Sequence, residues 1–273
     1  MHGGLHSTMP KRTDFRAPYA PIQSAFDITP EDIACQLTLI DLPLFKAIGR
    51  DELINCMGTC SRRGRKQDLS PNIVTMNRQF NQVTFWVVGQ ILQLGTARAR
   101  ARMISHFIKV ARRLRELNNI NSCHAVTSAL FSSPIFRLEK TWHYVGKKHT
   151  KEKQHLDKLM FFFSDQSNFE SLRRHLDTCQ LPCIPYLGMY LRDLIYVSTA
   201  NPVGTPKRNN KMASIIDAVQ NFQKSEYTIE SVDRIQAYLH SCRYLDELQK
   251  ILEDENYRKS LNLEPPESAP KKL

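Results

Sequence analysis

The spacing of apolar side chains at three- and four-residue intervals is the feature that most constrains what this chain can fold into. The clearest stretch opens at Ser70-Pro71, closes at Gly95, and carries Ile73, Met76, Phe80, Val83, Val87, Ile91 and Leu94. Such spacing forms one apolar stripe along an α-helix, and proline at the start with glycine past the end is typical of helix termini. Another helix is predicted to start at Thr29, a capping residue that two acidic residues follow closely.

The same pattern predicts helices along most of the remaining chain. They carry the apolar residues from Met103 to Leu117 and lie at about 122–131, 150–162, 167–178, 186–197, 209–224, 229–241 and 243–254. The chain has only ten glycines among 273 residues and shows no strand–helix alternation, which disfavours a β-rich fold. The sequence therefore predicts an all-α fold in one large helical domain at 27–265, with a disordered leader at 1–26 and a linker or tail at 266–273.

The formal net charge of +11 is the one unusual feature of the composition. Such a charge admits an anionic membrane, a nucleic acid or an acidic protein as partner. The basic residues are spread over many segments, with dense runs at 62–66, 98–102 and 112–115, which favours solvated helix faces and one basic loop. We predict no nucleic-acid partner, and an anionic membrane surface stays open. Lacking a secretory signal or a long apolar span, the chain is predicted to be cytoplasmic.

No motif for covalent chemistry is present in the sequence. It contains neither of the glycine-rich phosphate loops GxxxxGK[ST] and GxGxxG, no GxSxG turn and no HExxH. The close cysteine pairs Cys56/Cys60 and Cys179/Cys183 have no second ligand pair at zinc spacing, so we predict no metal and no cofactor. We therefore predict that the chain is not an enzyme and that its functional surface binds a macromolecule.

The segment 182–202 is the best candidate for that surface. Pro182 and Pro185 fix its entry, and the helix that follows is apolar on nearly every face. Such a helix is either fully buried or partly offered to a partner. Tyr186, Tyr190 and Tyr196 favour the second interpretation, because tyrosine, with an apolar ring and a polar hydroxyl, suits interfaces that are partly exposed to solvent.

Four stretches, in this order, resemble the catalytic domain of Ras-family guanine nucleotide exchange factors (the Cdc25 homology domain). They are QLTLIDLPLFKAI (36–48), SPNIVTMNRQFNQVTFW (70–86), ELNNINSCHAVTSALFSSPIFRLEKTW (116–142) and PCIPYLGMYLRDLI (182–195). Within that family the chain is most similar to the Ral exchange factors that have a PH domain and an SH3-binding motif. FNQVTFWVV (80–88), PYLGMYLRDLIYV (185–197) and RYLDELQKILEDENYRKSLNLEP (243–265) carry this closer likeness.

The resemblance implies an all-helical domain from which a helical hairpin protrudes. The hairpin would insert beside the nucleotide site of a Ras-family small GTPase, promoting GDP release and GTP loading without making or breaking a bond. Ile195 matches the apolar hairpin residue that enters the magnesium region. Thr199 matches a position that is acidic in Ras-directed members. Its neutral side chain favours Ral over Ras as the partner, with Rap as a further candidate.

The resemblance also implies which residues contact the GTPase. His124, Phe169, Tyr186 and Met189 match the pocket that grips its second switch segment, although Phe169 and Met189 could also be plain core residues. Asn77, Arg78 and Asn81 match another part of the contact surface. Arg137 is expected to be a structural anchor. Two alternatives stay open: a GTPase-binding scaffold that has lost exchange activity, and a basic helical adaptor on membranes.

Overall fold

The computed structural model describes residues 21–55, 69–242 and 244–266. In these three ranges every regular element is a helix, apart from one isolated bridge between Asn119 and Ile184, so the all-α prediction is confirmed. Most of the predicted leader and tail, Cys56, Cys60 and the basic run 62–66 lie outside the described residues. Within them, no helix is both long and apolar enough to cross a membrane.

Thirteen α-helices follow one another in the described ranges, and three short 3-10 turns occur besides them. The helices are α1 (Pro30–Lys46), α2 (Arg50–Asn55), α3 (Pro71–Leu92), α4 (Ala97–Glu116), α5 (Ile120–Phe131), α6 (Ser133–Phe136), α7 (Glu139–Lys148), α8 (Thr150–Phe162), α9 (Glu170–Thr178), α10 (Leu187–Ala200), α11 (Pro206–Phe222), α12 (Asp233–Ser241) and α13 (Gln249–Leu263). The predicted Thr29 cap is present, because Thr29 Oγ1 accepts from the Asp32 amide at 3.1 Å. Prolines open α1, α3 and α11, but Ser70 makes no side-chain capping bond and α3 ends at Leu92, before Gly95.

Helix α5 lies at the centre of the domain, packed against α1, α3 and α4. Nine of its twelve residues are buried, and small ones such as Cys123, Ala125 and Ala129 let the neighbouring helices approach closely. Buried Asp41 of α1 ties this core to the start of α5 by accepting from Ser122 Oγ at 2.6 Å and Asn119 Nδ2 at 3.0 Å. Packing on three sides therefore holds α5 in place, and its few side chains that are not buried, such as His124, reach the surface from a helix fixed in the core.

Helices α10 and α11 form a hairpin whose turn end stands clear of the core, whereas half-buried Met212 and Ile215 of α11 pack against it. No residue from 198 to 215 is buried, and Val203 at the turn is 86% exposed. The base is held by Ile216, Val219 and Phe222, which are buried, and by Gln223 Nε2, which donates to the carbonyl oxygens of Phe45 and Ile48 at 2.9 Å each. Helix α2 supports the same base through an Arg50–Asp217 ion pair of 3.0 Å.

The C-terminal helix α13 is fastened by a buried polar cluster. Arg100 of α4 is 1% exposed, and its Nη2 lies 2.7 Å from Oε1 of Glu264, just past α13. The same Glu264 oxygen accepts from Thr141 Oγ1 at 2.6 Å. Arg137 donates to the carbonyl oxygens of Ser260 and Glu264 at 2.7 and 2.8 Å, as an anchor would. We name Arg100, Thr141, Arg137 and Glu264 the C-terminal latch.

Two sequence-based boundaries were wrong because of tertiary contacts. The helix expected at 243–254 is instead a 3-10 turn at Asp246–Leu248 followed by α13, which continues to Leu263. Its extension ends where the latch holds Ser260 and Glu264. The helix expected from 229 begins only at Asp233, because the preceding backbone bonds to α1: the Val232 amide donates to Gln36 Oε1 at 3.0 Å.

Candidate functional site

A groove opens between α5, the end of α8 and the turn that leads to α9. Its volume is 650 Å³, and aromatic and apolar side chains dominate its walls: His124, Phe131, Met160, Phe161, Phe163 and Phe169. A polar edge is provided by Ser164, Asp165 and Gln166. His124 and Phe169, predicted from sequence to belong to one surface, therefore line the same groove.

His124 is the centre of an aromatic cluster at the base of this groove. Its ring stacks on Phe163 with centroids 4.5 Å apart and meets Tyr186 edge-on at 4.3 Å. Phe80 of α3 packs against both His124 and Tyr186, at 5.6 and 5.7 Å. Three predicted site residues, His124, Phe169 and Tyr186, thus share one set of ring contacts, since Phe169 lies 6.2 Å from Tyr186.

The His124 imidazole is neutral at ordinary pH. Burial lowers its pKa to about 4, and its Nδ1 has no hydrogen-bond partner in the described part of the chain. A neutral ring in an apolar cluster suits contact with an apolar partner segment, whereas a charged ring would have to be desolvated on binding.

The neutral state of His124 makes stability depend on pH. Its folded-state pKa lies below the unfolded value of 6.5, so its stabilising contribution is complete above that value and is lost as pH falls towards 4. We expect the native chain to lose about 3 kcal/mol more unfolding free energy between pH 7 and pH 4 than a His124→Phe variant does. Urea unfolding at a series of pH values measures this difference, and parallel curves for the two proteins would contradict it.

Tyr186 and Met189 lie at the start of α10 but differ in their exposure to solvent. Tyr186 is partly exposed, and its ring lies over Gly188, where an added Cβ would stand 2.4 Å from the tyrosine Oη. Met189 is 1% exposed and belongs to the hydrophobic core. A partner cannot touch Met189 in this conformation, so its predicted part in binding would have to act through neighbours.

Phe169 lies in a turn of unusual backbone conformation, and one cation, Arg192, packs over its ring. Asn168 and Phe169 both have positive φ, at 58° and 59°, in the turn before α9. The Arg192 guanidinium lies 4.5 Å above the Phe169 ring, and its Nη2 donates to Asn168 Oδ1 at 2.7 Å. Arg173 pairs with Asp193 through two contacts of 2.8 Å. These contacts join the groove turn to α10, so groove and hairpin share one rigid support.

The third predicted group lies on α3, and the C-terminal segment covers part of it. Asn77, Arg78 and Asn81 are all half-buried. Arg78 Nε donates to Asp246 at 3.1 Å, and Asn81 Nδ2 donates to Tyr244 Oη at 3.3 Å. No contact of these three residues with the aromatic groove is present among the described interactions. They remain a separate predicted contact region.

Ile195 and Thr199 lie on the α10 arm of the hairpin. Ile195 is half-buried, whereas Thr199 is exposed and donates its hydroxyl back to the carbonyl oxygens of Ile195 and Tyr196, at 3.1 and 3.0 Å. Between Asp193 and Asp217 the chain has no acidic residue. The hairpin therefore offers a partner apolar surface and positive charge.

Met160 and Phe161 form the outer wall of the groove and were not predicted from the sequence. Phe161 is 73% exposed and Met160 is 50% exposed. The signal available was the run Met160-Phe161-Phe162-Phe163 at a helix end. A helix in contact with the core on one face cannot bury four consecutive large side chains, so some of them must reach the surface.

These features define a class of protein: an all-helical domain that has an exposed aromatic groove and a projecting helical hairpin. In the described residues no group of histidine, cysteine and carboxylate side chains could hold a metal ion. The RasGEF domain model matches residues 32–226, which is most of the chain. The chain belongs to the RasGEF domain family.

Relatives with assigned names agree with this placement. The chain is 42% identical to human Ras-specific guanine nucleotide-releasing factor RalGPS2 over 92% of its own length and 43% of the relative's. Mouse Ras-specific guanine nucleotide-releasing factor RalGPS1 matches with the same identity and the same two coverages. Mouse Ras-specific guanine nucleotide-releasing factor 1 is 34% identical over 86% of this chain and 18% of that protein. The chain thus spans less than half the length of these relatives.

Proposed function

We propose that this chain is a guanine nucleotide exchange factor that binds a Ras-family small GTPase, with Ral as the preferred partner. The observation that carries the proposal is the shared support of hairpin and groove: α10 begins in the aromatic cluster and ends in the exposed hairpin. Family membership and the RalGPS relatives support the type of partner.

In the proposed mechanism the groove holds the second switch segment of the GTPase while the hairpin displaces the first. Ile195 acts as an apolar wedge in the magnesium region. Because Thr199 is neutral and bonds to its own helix, displacement depends on volume more than on competition for phosphate charge. A ten-thousandfold acceleration of release requires about 5.5 kcal/mol of preferential binding to the nucleotide-free form.

A nucleotide-release assay tests the proposal directly. Purified domain is mixed with Ral, Rap and Ras, each loaded with a fluorescent guanine nucleotide, and release is followed with excess unlabelled nucleotide. We expect the largest acceleration with Ral. Failure to accelerate release from any of the three would overturn the exchange function.

The scaffold alternative differs only in the outcome of that assay. It is favoured by one observation: between Asp193 and Asp217 the hairpin carries no acidic side chain to oppose the nucleotide phosphates. A scaffold would bind the nucleotide-free GTPase stably, measured by gel filtration, and leave nucleotide release unchanged.

Phe161 supplies a test of the groove as the binding surface. Because its side chain is 73% exposed, we expect Phe161→Ala to leave folding intact while raising the GTPase concentration needed for half-maximal exchange about tenfold. Ile251→Ala on α13, also an exposed apolar side chain, is the control and should have no effect. Equal behaviour of the two variants would show that the GTPase does not use this wall.

A further inference from the structure

A second, basic cavity lies on the other side of Phe161. It has a volume of 280 Å³ and is lined by Arg112, Arg115, His155 and Lys158, together with Ser171 and the apolar residues Leu159, Phe161 and Phe162. Every ionisable side chain in this lining is a cation or a histidine. The cavity therefore concentrates positive potential in a recess that is partly shielded from solvent.

Arg115 is a partly buried cation in this lining that has no carboxylate partner among the described residues. Its guanidinium lies 3.8 Å above the Phe162 ring, and its Nη1 is 3.0 Å from His175 Nε2. No carboxylate pairs with it in the described residues, although Arg112 and Arg113 on the same helix both pair with Glu116. Burial lowers the pKa of Arg115, because it removes water from the guanidinium and no carboxylate in the described ranges replaces that solvation. A bound anion would supply that compensation through charge-assisted hydrogen bonds.

The other polar groups of the cavity leave donors available. His155 Nδ1 lies 2.7 Å from the Lys151 carbonyl oxygen, so Nε2 donates to a ligand only when the ring is protonated. Lys158 is exposed and has no ion pair among the described residues, whereas Lys153, on the same helix, pairs with Asp157. Ser171 adds a hydroxyl for which no internal hydrogen bond is present in the described ranges.

We propose that this cavity, formed by Arg115, Lys158, His155 and Ser171, binds a phosphate monoester group carried by a phosphoinositide in a membrane. A phosphate group presents several oxygens to converging donors, which matches the guanidinium, ammonium and hydroxyl groups here. The net charge of +11 favours a lipid source, because an anionic leaflet attracts the whole domain before the headgroup is engaged. This proposal does not depend on exchange activity.

Vesicle sedimentation with the whole chain tests it. Vesicles of phosphatidylcholine contain either phosphatidylinositol bisphosphate or phosphatidylserine at equal total charge. We expect the chain to prefer the phosphoinositide vesicles at physiological salt. Lys158→Gln should lower this binding at least tenfold. The control Lys250→Gln, which removes an exposed lysine on a different helix, α13, should not change it. Arg115→Gln should abolish vesicle binding, and circular dichroism verifies that this variant is folded. If Arg115→Gln unfolds, the binding of Lys158→Gln alone tests the proposed site.

Competition experiments distinguish a lipid headgroup from free phosphate as the ligand of the cavity. Soluble inositol trisphosphate should displace the chain from vesicles, and inorganic phosphate should do so only weakly. Equal competition by the two, equal binding to both vesicle types, or equal losses in Lys158→Gln and Lys250→Gln would each overturn the proposal. Nucleotide release in solution should be unaffected by Lys158→Gln, so failure of the lipid site is distinguishable from failure of the exchange function.

Discussion

Replacing Ile195 with alanine is expected to slow nucleotide release by a few tens of fold while leaving the domain folded. The change removes three carbon atoms, and each is worth about 0.8 kcal/mol where it is buried against a partner. Because a factor of ten corresponds to about 1.4 kcal/mol, the loss converts into that range of rates. Stopped-flow release of a fluorescent nucleotide from Ral measures it.

The matched control for Ile195→Ala is Ile251→Ala, the same substitution at an exposed position on α13, far along the chain from the hairpin. It should leave the rate unchanged. Thermal melting of both variants separates function from folding: half-buried Ile195 contributes only part of its side chain to the hairpin packing. A large drop in melting temperature, or a wild-type rate, would mean that Ile195 is not the wedge.

Breaking the C-terminal latch should produce the largest loss of stability. Glu264→Gln leaves Arg100 buried without its counter-charge, and removing one partner of a buried ion pair typically costs about 3–5 kcal/mol. We expect a loss of this size in the free energy of unfolding from guanidinium titration. Glu255→Gln, at an exposed position on α13, is the control and should change it little. A loss below about 1 kcal/mol for Glu264→Gln would contradict the latch.

The latch also predicts behaviour in acid. Burial opposes ionisation of Glu264, but hydrogen bonds from Thr141, Arg100 and the Lys140 amide hold its pKa below the usual value. A carboxylate with a lowered folded-state pKa stabilises the protein above its unfolded pKa, and this contribution is lost as pH falls through the folded value. The Glu264→Gln variant should therefore differ least from the native chain in strong acid.

Local patterns predicted most of the long helices, whereas α2, α6 and α7 were not predicted. Apolar spacing located α3, α4 and α5 closely, because each carries its core stripe within its own sequence. The hairpin, and the grouping of His124, Phe169 and Tyr186, came from resemblance to a family, and the ring contacts agree with that grouping. The roles of these residues in GTPase binding stay predictions.

Features that depend on distant contacts could not be predicted from local patterns. Arg100 and Glu264 are 164 positions apart, and neither residue signals its partner. The exposed wall at Phe161 depends on how α8 is rotated against the core, which the run of phenylalanines does not determine. The basic cavity needs residues from α4, α8 and α9 to meet, so no linear motif marks it.

The absence of buried residues from 198 to 215 has a consequence for how such a domain can change. Substitutions at the exposed side chains of this stretch should carry little folding cost. The exceptions are Gly204, which has a φ of 82°, the cap Thr205, and Met212 and Ile215, which pack against the core. Partner choice could therefore diverge through the hairpin arm while the rest of the fold is kept. A library randomised over the exposed positions other than Gly204 should retain folded protein in most members, although the GTPases they recognise would differ.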